Sequence, residues 1–257
     1  MMNYASSHTS PSQPLDGVRA MIFAAGLGTR LRPFTDHHPK ALAVVNGKPL
    51  LQRNIEYLRQ AGIREIMVNV HHFADQIEDF IRGHEGFGCD IRISHEPDAP
   101  LETGGGLMKA AWYFEEQSRP FVVMNADILT NLDLPALYRA HEERKPLATL
   151  AVTGRPSSRC LLFDNHMQLT GWRNNKTGEE KIAIISETEP QALAFSAFHV
   201  IDPGMLKMVR QTGRFSIIDT YLDLARDHRI LGFRHDGDLL IDVGKPESIA
   251  EAERFFP

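Results

Sequence analysis

Residues 18–42 read VRAMIFAAGLGTRLRPFTDHHPKAL, an apolar run that leads directly into a glycine-rich bend. The run at 18–25 is continuous and has the length of one buried strand. Glycines follow it at once, and Arg30 and Lys40 come next in the chain. Small residues let backbone N–H groups approach phosphate oxygens, while Arg and Lys neutralise their charge. The stretch therefore predicts a strand followed by a phosphate-binding loop.

Two other nucleotide-binding loops have spacings that this chain does not match. A dinucleotide fingerprint, GxGxxG, needs a third glycine where the chain has Leu31. A P-loop needs GxxxxGK[ST], whereas Gly47 and Lys48 are followed by a proline. A plain strand-to-helix turn bearing two surface cations, Arg30 and Lys40, is the structural alternative.

Beyond the bend, short apolar runs alternate with amphipathic segments. Leu51, Ile55 and Leu58, for example, recur at helical spacing. Strands that alternate with helices at this spacing imply right-handed crossovers. We therefore expect an α/β fold: a Rossmann-like three-layer αβα sandwich around a mixed, mainly parallel sheet. The predicted strands cover residues 18–25, 65–70, 90–95, 120–125, 147–152, 193–201 and 239–243, and the predicted helices cover 51–61, 73–81, 106–116, 203–210, 217–228 and 246–255.

The expected organisation is a leader followed by one domain. Residues 1–17 are rich in Ser, Pro and other polar residues, which is typical of disordered segments. Order is expected to begin at Val18, in a single domain covering 18–257. Its first half, 18–130, has the nucleotide-binding pattern, and residues 131–257 are expected to pack on the same sheet.

The composition excludes several classes of protein. The 257 residues include 28 Lys and Arg against 33 Asp and Glu, a net charge of -5, which does not suit a general nucleic-acid binder. No apolar run reaches the ~18–20 residues that span a bilayer, and the start lacks a secretory pattern. Cys89 and Cys160 form no CxxC pair, so a reducing compartment, the cytoplasm, is expected.

Residues 24–42 resemble the signature of the sugar-1-phosphate nucleotidyltransferases, also called NDP-sugar pyrophosphorylases. The similarity continues through LETGGG (101–106), VVMNADI (122–128), FSAFHVI (195–201) and LLIDVGKPE (239–247). Within that family, LETGGG, the length of the chain and NVHHFADQI (69–77) resemble most the N-acetylmuramate 1-phosphate uridylyltransferases. Mannose- and heptose-1-phosphate guanylyltransferases share much of the pattern.

The resemblance implies a nucleotide-diphospho-sugar transferase fold and the matching reaction. A nucleoside triphosphate, with UTP expected, and a sugar 1-phosphate, with N-acetylmuramate 1-phosphate expected, would give an NDP-sugar and pyrophosphate for cell-wall sugar recycling or activation. Residues 131–257 would then form the sugar-phosphate-binding half. The attacking phosphate oxygen is already anionic near neutral pH, so positioning and charge neutralisation suffice without a general base.

The resemblance also implies roles for individual residues. Mg²⁺ is expected at Asp127 and Asp242, which end predicted strands, because Mg²⁺ prefers carboxylate oxygens. Arg30 and Lys40 are expected to be catalytic. Nucleotide contacts are expected from Ala25, Gly26, Gly28, Thr29, Arg30, Lys40, Asn69, Glu102, Thr103 and Gly104, and sugar contacts from Asn125, Asn174, Glu179 and Ser196.

Several alternatives stay open at this point. A guanylyltransferase for mannose or heptose 1-phosphate is the alternative within the family. A non-catalytic regulatory relative that binds nucleotide sugars would keep the fold without turnover. A nicotinamide-dependent oxidoreductase is disfavoured by Leu31. The three glycines at 104–106 predict either a structural constraint or a flexible turn, since glycine is costly inside a helix.

Overall fold

The computed structural model describes residues 15–186 and 188–257. Most of the expected disordered leader, residues 1–14, lies outside the described residues. Its last part is ordered, contrary to expectation: Leu15 is buried, and its backbone N–H donates to Ala61 O at 2.7 Å. The apolar side chain of Leu15 belongs to the same core as Val18, so order begins earlier than the composition predicted.

Fourteen strands are present in the described residues, two of them within a short ribbon beside the glycine bend. Most of the predicted strands appear with shifts of one to three residues at their ends. Hairpin strands between residues 159 and 182 were not predicted. The strands are β1 Arg19–Phe23, β2 Val44–Val45, β3 Lys48–Pro49, β4 Glu65–Val70, β5 Asp90–His95, β6 Phe121–Asn125, β7 Ile128–Thr130, β8 Ala148–Thr153, β9 Arg159–Phe163, β10 Leu169–Asn174, β11 Glu180–Ile182, β12 Gln191–Ile201, β13 Ile230–Arg234 and β14 Leu240–Asp242.

Seven α-helices accompany these strands in the described part of the chain, with shorter 3-10 turns between them. The predicted helix at 203–210 is a 3-10 helix, Pro203–Met208, and the predicted helix at 217–228 ends at Leu224. No described helix has both the length and the apolar character that crossing a membrane requires. The helices are α1 Leu50–Gln60, α2 Ala74–Gly83, α3 Glu102–Lys109, α4 Ala111–Glu115, α5 Leu134–Arg144, α6 Ile217–Leu224 and α7 Pro246–Phe255.

The main sheet has ten strands and is mixed, as expected. Its order is β11-β10-β9-β12-β6-β1-β4-β5, with β8 paired to β12 and β13 paired to β8. Strands β6, β1, β4 and β5 run parallel, whereas β12 runs antiparallel to β6 and joins the second half of the chain to the first. The sheet is therefore continuous across residue 130.

The sheet separates two apolar cores, which confirms the three-layer sandwich. Side chains of a strand alternate between faces. In β1, Ala20 and Ile22 belong to the core that also holds Ile55 of α1, whereas Met21 belongs to the opposite core with Tyr221 of α6. Helices α1, α2 and α5 cover the first face, and α3, α4 and α6 cover the second.

The glycine-rich segment 104–106 lies inside helix α3, which begins at Glu102, four residues before the predicted helix at 106–116. A Cβ at Gly105 would lie 2.1 Å from the backbone oxygen of Gly213, and a Cβ at Gly104 would lie 2.3 Å from the Phe215 ring. The helix therefore packs backbone-to-backbone against the 213–215 segment, which only glycine permits. This close packing is the structural constraint on the run.

Candidate active site

A cavity of about 220 Å³ opens at the carboxyl ends of β1, β4 and β6. Open parallel sheets bind ligands at this edge. Phe23 ends β1 and pairs in register with Asn69, the last residue but one of β4, and with Asn125, the last residue of β6; all three line the cavity. Of the residues predicted to contact the nucleotide, those in the cavity wall are Ala25, Gly26, Lys40, Asn69, Glu102 and Thr103.

Lys40 and Asp127 form an ion pair in the cavity wall. Their side chains are only 12% and 21% exposed, so water screens their charges less than at the surface. Asp127 follows β6 by two residues, and the intervening Ala126 donates its N–H to Phe23 O at 3.0 Å. This ion pair thus joins the segment after the glycine bend, which carries Lys40, to the segment after β6, which carries Asp127.

Asp242 reaches the same place through a separate two-stranded sheet. Strand β14 pairs antiparallel with β7, and Val243 N donates to Asp127 O at 2.8 Å. Burial raises the pKa of Asp242, and the neighbouring Asp127 charge raises it further, while Lys40 and Arg30 lower it. The structure therefore brings together the two aspartates that lie far apart in the sequence.

Gly28 permits the tight bend that precedes Arg30 and Lys40. It has φ +62°, a left-handed conformation that glycine adopts without strain, and the Thr35 hydroxyl donates to its carbonyl at 3.0 Å. A Cβ there would lie 2.8 Å from Lys40 Cβ. Arg30, in the 3-10 helix Thr29–Leu31, places Nη2 3.9 Å from Asp242 Oδ2.

Comparisons with known proteins agree with this geometry. A family model described as "Nucleotidyl transferase" matches residues 19–160. N-acetylmuramate alpha-1-phosphate uridylyltransferase of Neisseria meningitidis is 31% identical over 241 residues, 92% of this chain and 97% of that protein. The chain belongs to the sugar-1-phosphate nucleotidyltransferase family. The protein of the same description from Caulobacter vibrioides is 31% identical over 91% of this chain and 95% of its own length.

Solved structures of nucleotidyltransferases share the fold of this family member. HddC from Yersinia pseudotuberculosis complexed with GMP-PN has a TM-score of 0.73 at 22% identity, over 93% of this chain and 100% of that chain. A UDP-glucose pyrophosphorylase from Acinetobacter baumannii has a TM-score of 0.74 at 16% identity, over 92% of both chains. The similarity confirms the nucleotide-diphospho-sugar transferase fold expected from the sequence.

Glu96 is a residue of this nucleotidyltransferase's cavity that the sequence prediction missed. It follows β5 directly and is only 1% exposed, yet it lines the cavity. Asn69 Nδ2 donates to Glu96 Oε1 at 2.7 Å, and Leu101 N donates to Oε2 at 2.7 Å. The available signal was its position: like Asn69 and Asn125, Glu96 lies where a parallel strand ends.

The first turn of α3 forms another part of the wall. Glu102 pairs with Arg214 at 2.9 Å, and the Thr103 hydroxyl accepts a hydrogen bond from Ile217 N at 3.0 Å. Both residues line the cavity, as expected of nucleotide contacts. Gly104 does not: its N–H donates to Phe215 O at 2.9 Å, and it packs against the 213–215 segment. Gly28, Thr29 and Arg30 also lie outside this cavity wall.

The predicted sugar contacts are scattered, apart from Asn125 in the cavity wall. Ser196 is fully buried and its hydroxyl lies 2.7 Å from His235 Nε2, so it lines neither cavity, and its contact with the sugar stays a prediction. Asn174 ends β10, where its Oδ1 accepts from Lys176 N, and Glu179 lies in the exposed loop that follows. Neither lines either of the cavities that touch the two aspartates.

A second cavity, of about 450 Å³, has Asp242 in its wall. Its walls come from β9, β10, β12 and α6 of the second half, together with the loop after β8. Arg155 lies in that loop, and its charge counts among those that lower the pKa of Asp242. Asp242 therefore lies both in the wall of this second cavity and among the charged residues around Asp127.

Proposed function

We propose that this enzyme transfers UMP from UTP to N-acetylmuramate 1-phosphate, giving UDP-N-acetylmuramate and pyrophosphate. Nucleotidyl transfer to a sugar 1-phosphate is the activity of its family. The finer choice of nucleotide and sugar is supported by two curated relatives of that description that match nearly the whole length of both chains. A cytoplasmic location and a role in cell-wall sugar recycling are part of the same proposal, in keeping with two free cysteines.

The observation that carries the proposal is the meeting of Lys40, Asp127, Arg30 and Asp242 at the edge of a cavity. An oxygen of the sugar 1-phosphate attacks the α-phosphorus of UTP, and the bond from that phosphorus to the bridging oxygen breaks, so pyrophosphate leaves. Lys40 neutralises charge on the α-phosphate, and Arg30 stabilises the departing pyrophosphate. The attacking phosphate oxygen is already anionic near neutral pH, so the reaction needs no general base.

Mg²⁺ is part of the proposal, held by Asp127 and Asp242. The donor set fits: burial raises the pKa of Asp242 and the neighbouring Asp127 carboxylate raises it further, and a divalent cation would relieve the repulsion between the two carboxylates. Among the residues described, no group of three or more His, Cys, Asp or Glu is arranged to hold a metal. Mg²⁺ commonly takes one or two carboxylates and completes its ligands with substrate phosphates and water. When bound, it would supply charge neutralisation at the phosphates.

A substrate panel tests the proposed reaction. Pyrophosphate release is measured for UTP, GTP, CTP and ATP, each with N-acetylmuramate, N-acetylglucosamine, glucose and mannose 1-phosphates. We expect the largest kcat/KM with UTP and N-acetylmuramate 1-phosphate. A clear preference for GTP with mannose 1-phosphate would instead assign a guanylyltransferase, and no turnover with any pair would leave a binding protein.

Two aspartate variants test the metal. Asp127→Asn and Asp242→Asn should each lower kcat by a hundredfold or more and weaken activation by MgCl₂ after EDTA treatment, since each removes one charged ligand. Asp227→Asn removes the same charge from an exposed turn three residues after α6 and serves as the matched control. Full activity in EDTA would contradict the magnesium part of the proposal while leaving the transfer reaction intact.

A further inference from the structure

Ser196 and His235 form a buried side-chain pair in the second half of the chain. Ser196 Oγ lies 2.7 Å from His235 Nε2, and the other ring nitrogen, Nδ1, lies 3.3 Å from Asp238 Oδ2. A carboxylate at Nδ1 favours a proton there, so Nε2 accepts a hydrogen bond from the Ser196 hydroxyl. Hydrolases use the same order of side chains, but Ser196 is fully buried and lines neither of the cavities that touch the two aspartates. The pair therefore fits a positioning role, not that of a nucleophile.

The neighbours of this pair along the chain both bind the loop after β8. Phe195, which comes before the buried serine, accepts a hydrogen bond through its carbonyl from Arg155 Nη2 at 3.0 Å. Asp236, which follows the buried histidine, accepts one from Gly154 N at 2.6 Å. The hydrogen bond between the two buried side chains thus closes a ring of contacts, which runs from the loop to β12, on to the segment after β13 and back to the loop.

Strand β12 is irregular where the ring meets it. Its register with β8 shifts between Phe195 and His199, and Ala197 has φ +57°. A left-handed conformation is unfavourable for alanine, so it persists only where the surrounding contacts hold it. Irregularities of this kind redirect side chains and are common beside active sites. The ring is therefore placed to fix the direction of the groups that this part of β12 carries.

Arg155 is the member of the ring that can meet a ligand. It lies in an exposed loop, where an arginine side chain that nothing holds would sample many rotamers. It lines the second cavity together with Asp242, and it forms no ion pair with a carboxylate of the described residues. Its guanidinium is thus available to an anionic ligand. Held in one orientation, it would bind that ligand with a smaller loss of conformational entropy.

We propose that His235 is a positioning residue: its hydrogen bond to Ser196 keeps the ring closed and so holds the Arg155 guanidinium toward the phosphate of the sugar 1-phosphate. The inference rests on the proposed function and on the expected use of residues 131–257 for the sugar phosphate. It goes beyond both, because His235 lines neither cavity and acts only through other residues. Asp238 supports it by keeping the imidazole proton at Nδ1.

Steady-state kinetics of pyrophosphate release compares His235→Ala and Ser196→Ala with the parent enzyme. Each removes the hydrogen bond and should raise KM for the sugar 1-phosphate about 5- to 10-fold, while KM for UTP stays within about twofold. His235→Ala carries the test, since Ser196 is itself a predicted sugar contact. His235→Gln keeps a polar group near the Nε2 position and should recover part of the loss. Because His235 N also donates to Val152 O, the backbone pairing with β8 should survive these changes.

A double-mutant cycle tests whether the effect passes through Arg155. Arg155→Ala alone should raise KM for the sugar 1-phosphate about 10- to 100-fold, because it removes hydrogen bonds to a charged group. Adding His235→Ala should then change KM by less than about twofold, since the ring has no guanidinium left to hold. Effects that multiply would overturn the inference, and so would an unchanged KM in Arg155→Ala. His166→Ala, at an exposed turn, is the matched control.

Hydrogen exchange separates the inference from the proposed function, because it needs no turnover. The Gly154 amide, bound to Asp236, should exchange about 5- to 10-fold faster in His235→Ala and Ser196→Ala than in the parent. Equal exchange rates would overturn the inference, whatever the enzyme transfers. Faster exchange without pyrophosphate release from any substrate pair would refute the proposed function and leave the ring as the means of holding the Arg155 loop. Thermal unfolding of each variant identifies any loss of folding.

Discussion

The side-chain amide of Asn69 donates a hydrogen bond to the buried carboxylate of Glu96 at 2.7 Å. The same amide accepts a hydrogen bond from Ala24 N at 2.7 Å, so it links the ends of β1, β4 and β5. Both partners are almost fully buried, although both contribute to the cavity wall. The nucleotide cavity is thus shaped by a network whose members are all hydrogen-bonded, which favours a rigid wall.

Asn69→Asp should damage this network severely. The new carboxyl keeps an acceptor for Ala24 but removes the donor to Glu96 and places two acids in contact. We expect a loss of about 3 kcal/mol in the free energy of unfolding, measured by urea denaturation. Asn165→Asp, on an exposed turn, makes the same chemical change and should leave the unfolding midpoint nearly unchanged. Equal midpoints for the two variants would contradict the importance of the network.

Lys40→Met should remove catalysis without unfolding the protein. The side chain stays unbranched and nearly as long, but it loses the charge that pairs with Asp127 and that, in the proposed reaction, faces the α-phosphate. We expect kcat to fall by roughly a hundred- to thousandfold, with the circular dichroism spectrum unchanged. Lys48→Met, which breaks an ion pair with Glu56, should retain activity. A drop shared by both lysine variants would mean that the effect is not specific to the cavity.

Gly28→Ala tests whether the bend positions Lys40. A Cβ there would press on Lys40 Cβ and on the Thr35 methyl group, so the ammonium should move. We expect kcat to fall roughly a hundredfold, the usual effect of displacing a catalytic group by about 1 Å. Gly47→Ala imposes the same left-handed strain, at φ +75°, with nothing within 4 Å of the new Cβ. Activity retained in Gly47→Ala but lost in Gly28→Ala would separate crowding from strain.

Gly105→Ala should destabilise the fold. The added Cβ meets a backbone oxygen, which cannot rotate away as a side chain can. We expect a loss of at least about 2 kcal/mol, or a fall in Tm of about 4 to 8 °C, by differential scanning calorimetry. Gly83→Ala, at the end of α2 in open space, should raise Tm slightly or not change it. An unchanged Tm for Gly105→Ala would show that α3 and the 213–215 segment separate easily.

Stability should fall as the solution is acidified, because of two buried histidines. Burial lowers the pKa of His141 to about 4 and that of His199 to about 3. In the unfolded chain these imidazoles titrate near 6.5, so between the two values the unfolded state binds more protons. Their stabilisation is complete above pH 6.5 and is lost as the pH falls toward the folded-state values.

The urea midpoint should therefore decrease steadily from pH 7 to pH 4. His199→Asn should flatten this dependence by up to about 1.4 kcal/mol per pH unit, the effect of one proton. His166→Gln, at an exposed position, should leave the slope as it is. A slope that His199→Asn does not change would show that another group controls the acid response.

Local pattern was enough to predict β4 and β5 with their observed bounds, because each is a short run between clear turns. Strands β9, β10 and β11 were missed, since their pairing depends on partners that only the fold supplies. The predicted helix began only at Gly106, because glycine has a low helix propensity. Propensity takes no account of the neighbouring 213–215 backbone, which leaves no room for a side chain at positions 104 and 105. Sequence motifs located Asp127 and Asp242, whereas Ser196 matched a motif and proved to be bonded to His235 inside the core.

The pairing of β14 with β7 has a consequence during protein synthesis. Every residue that lines the nucleotide cavity is translated by residue 127, but the second carboxylate is added only at residue 242. A chain that ends between those points contains Asp127 without Asp242 and lacks β14, the strand that pairs with β7. In the proposed reaction, such an incomplete chain would hold only one of the two magnesium ligands and would not transfer a nucleotide.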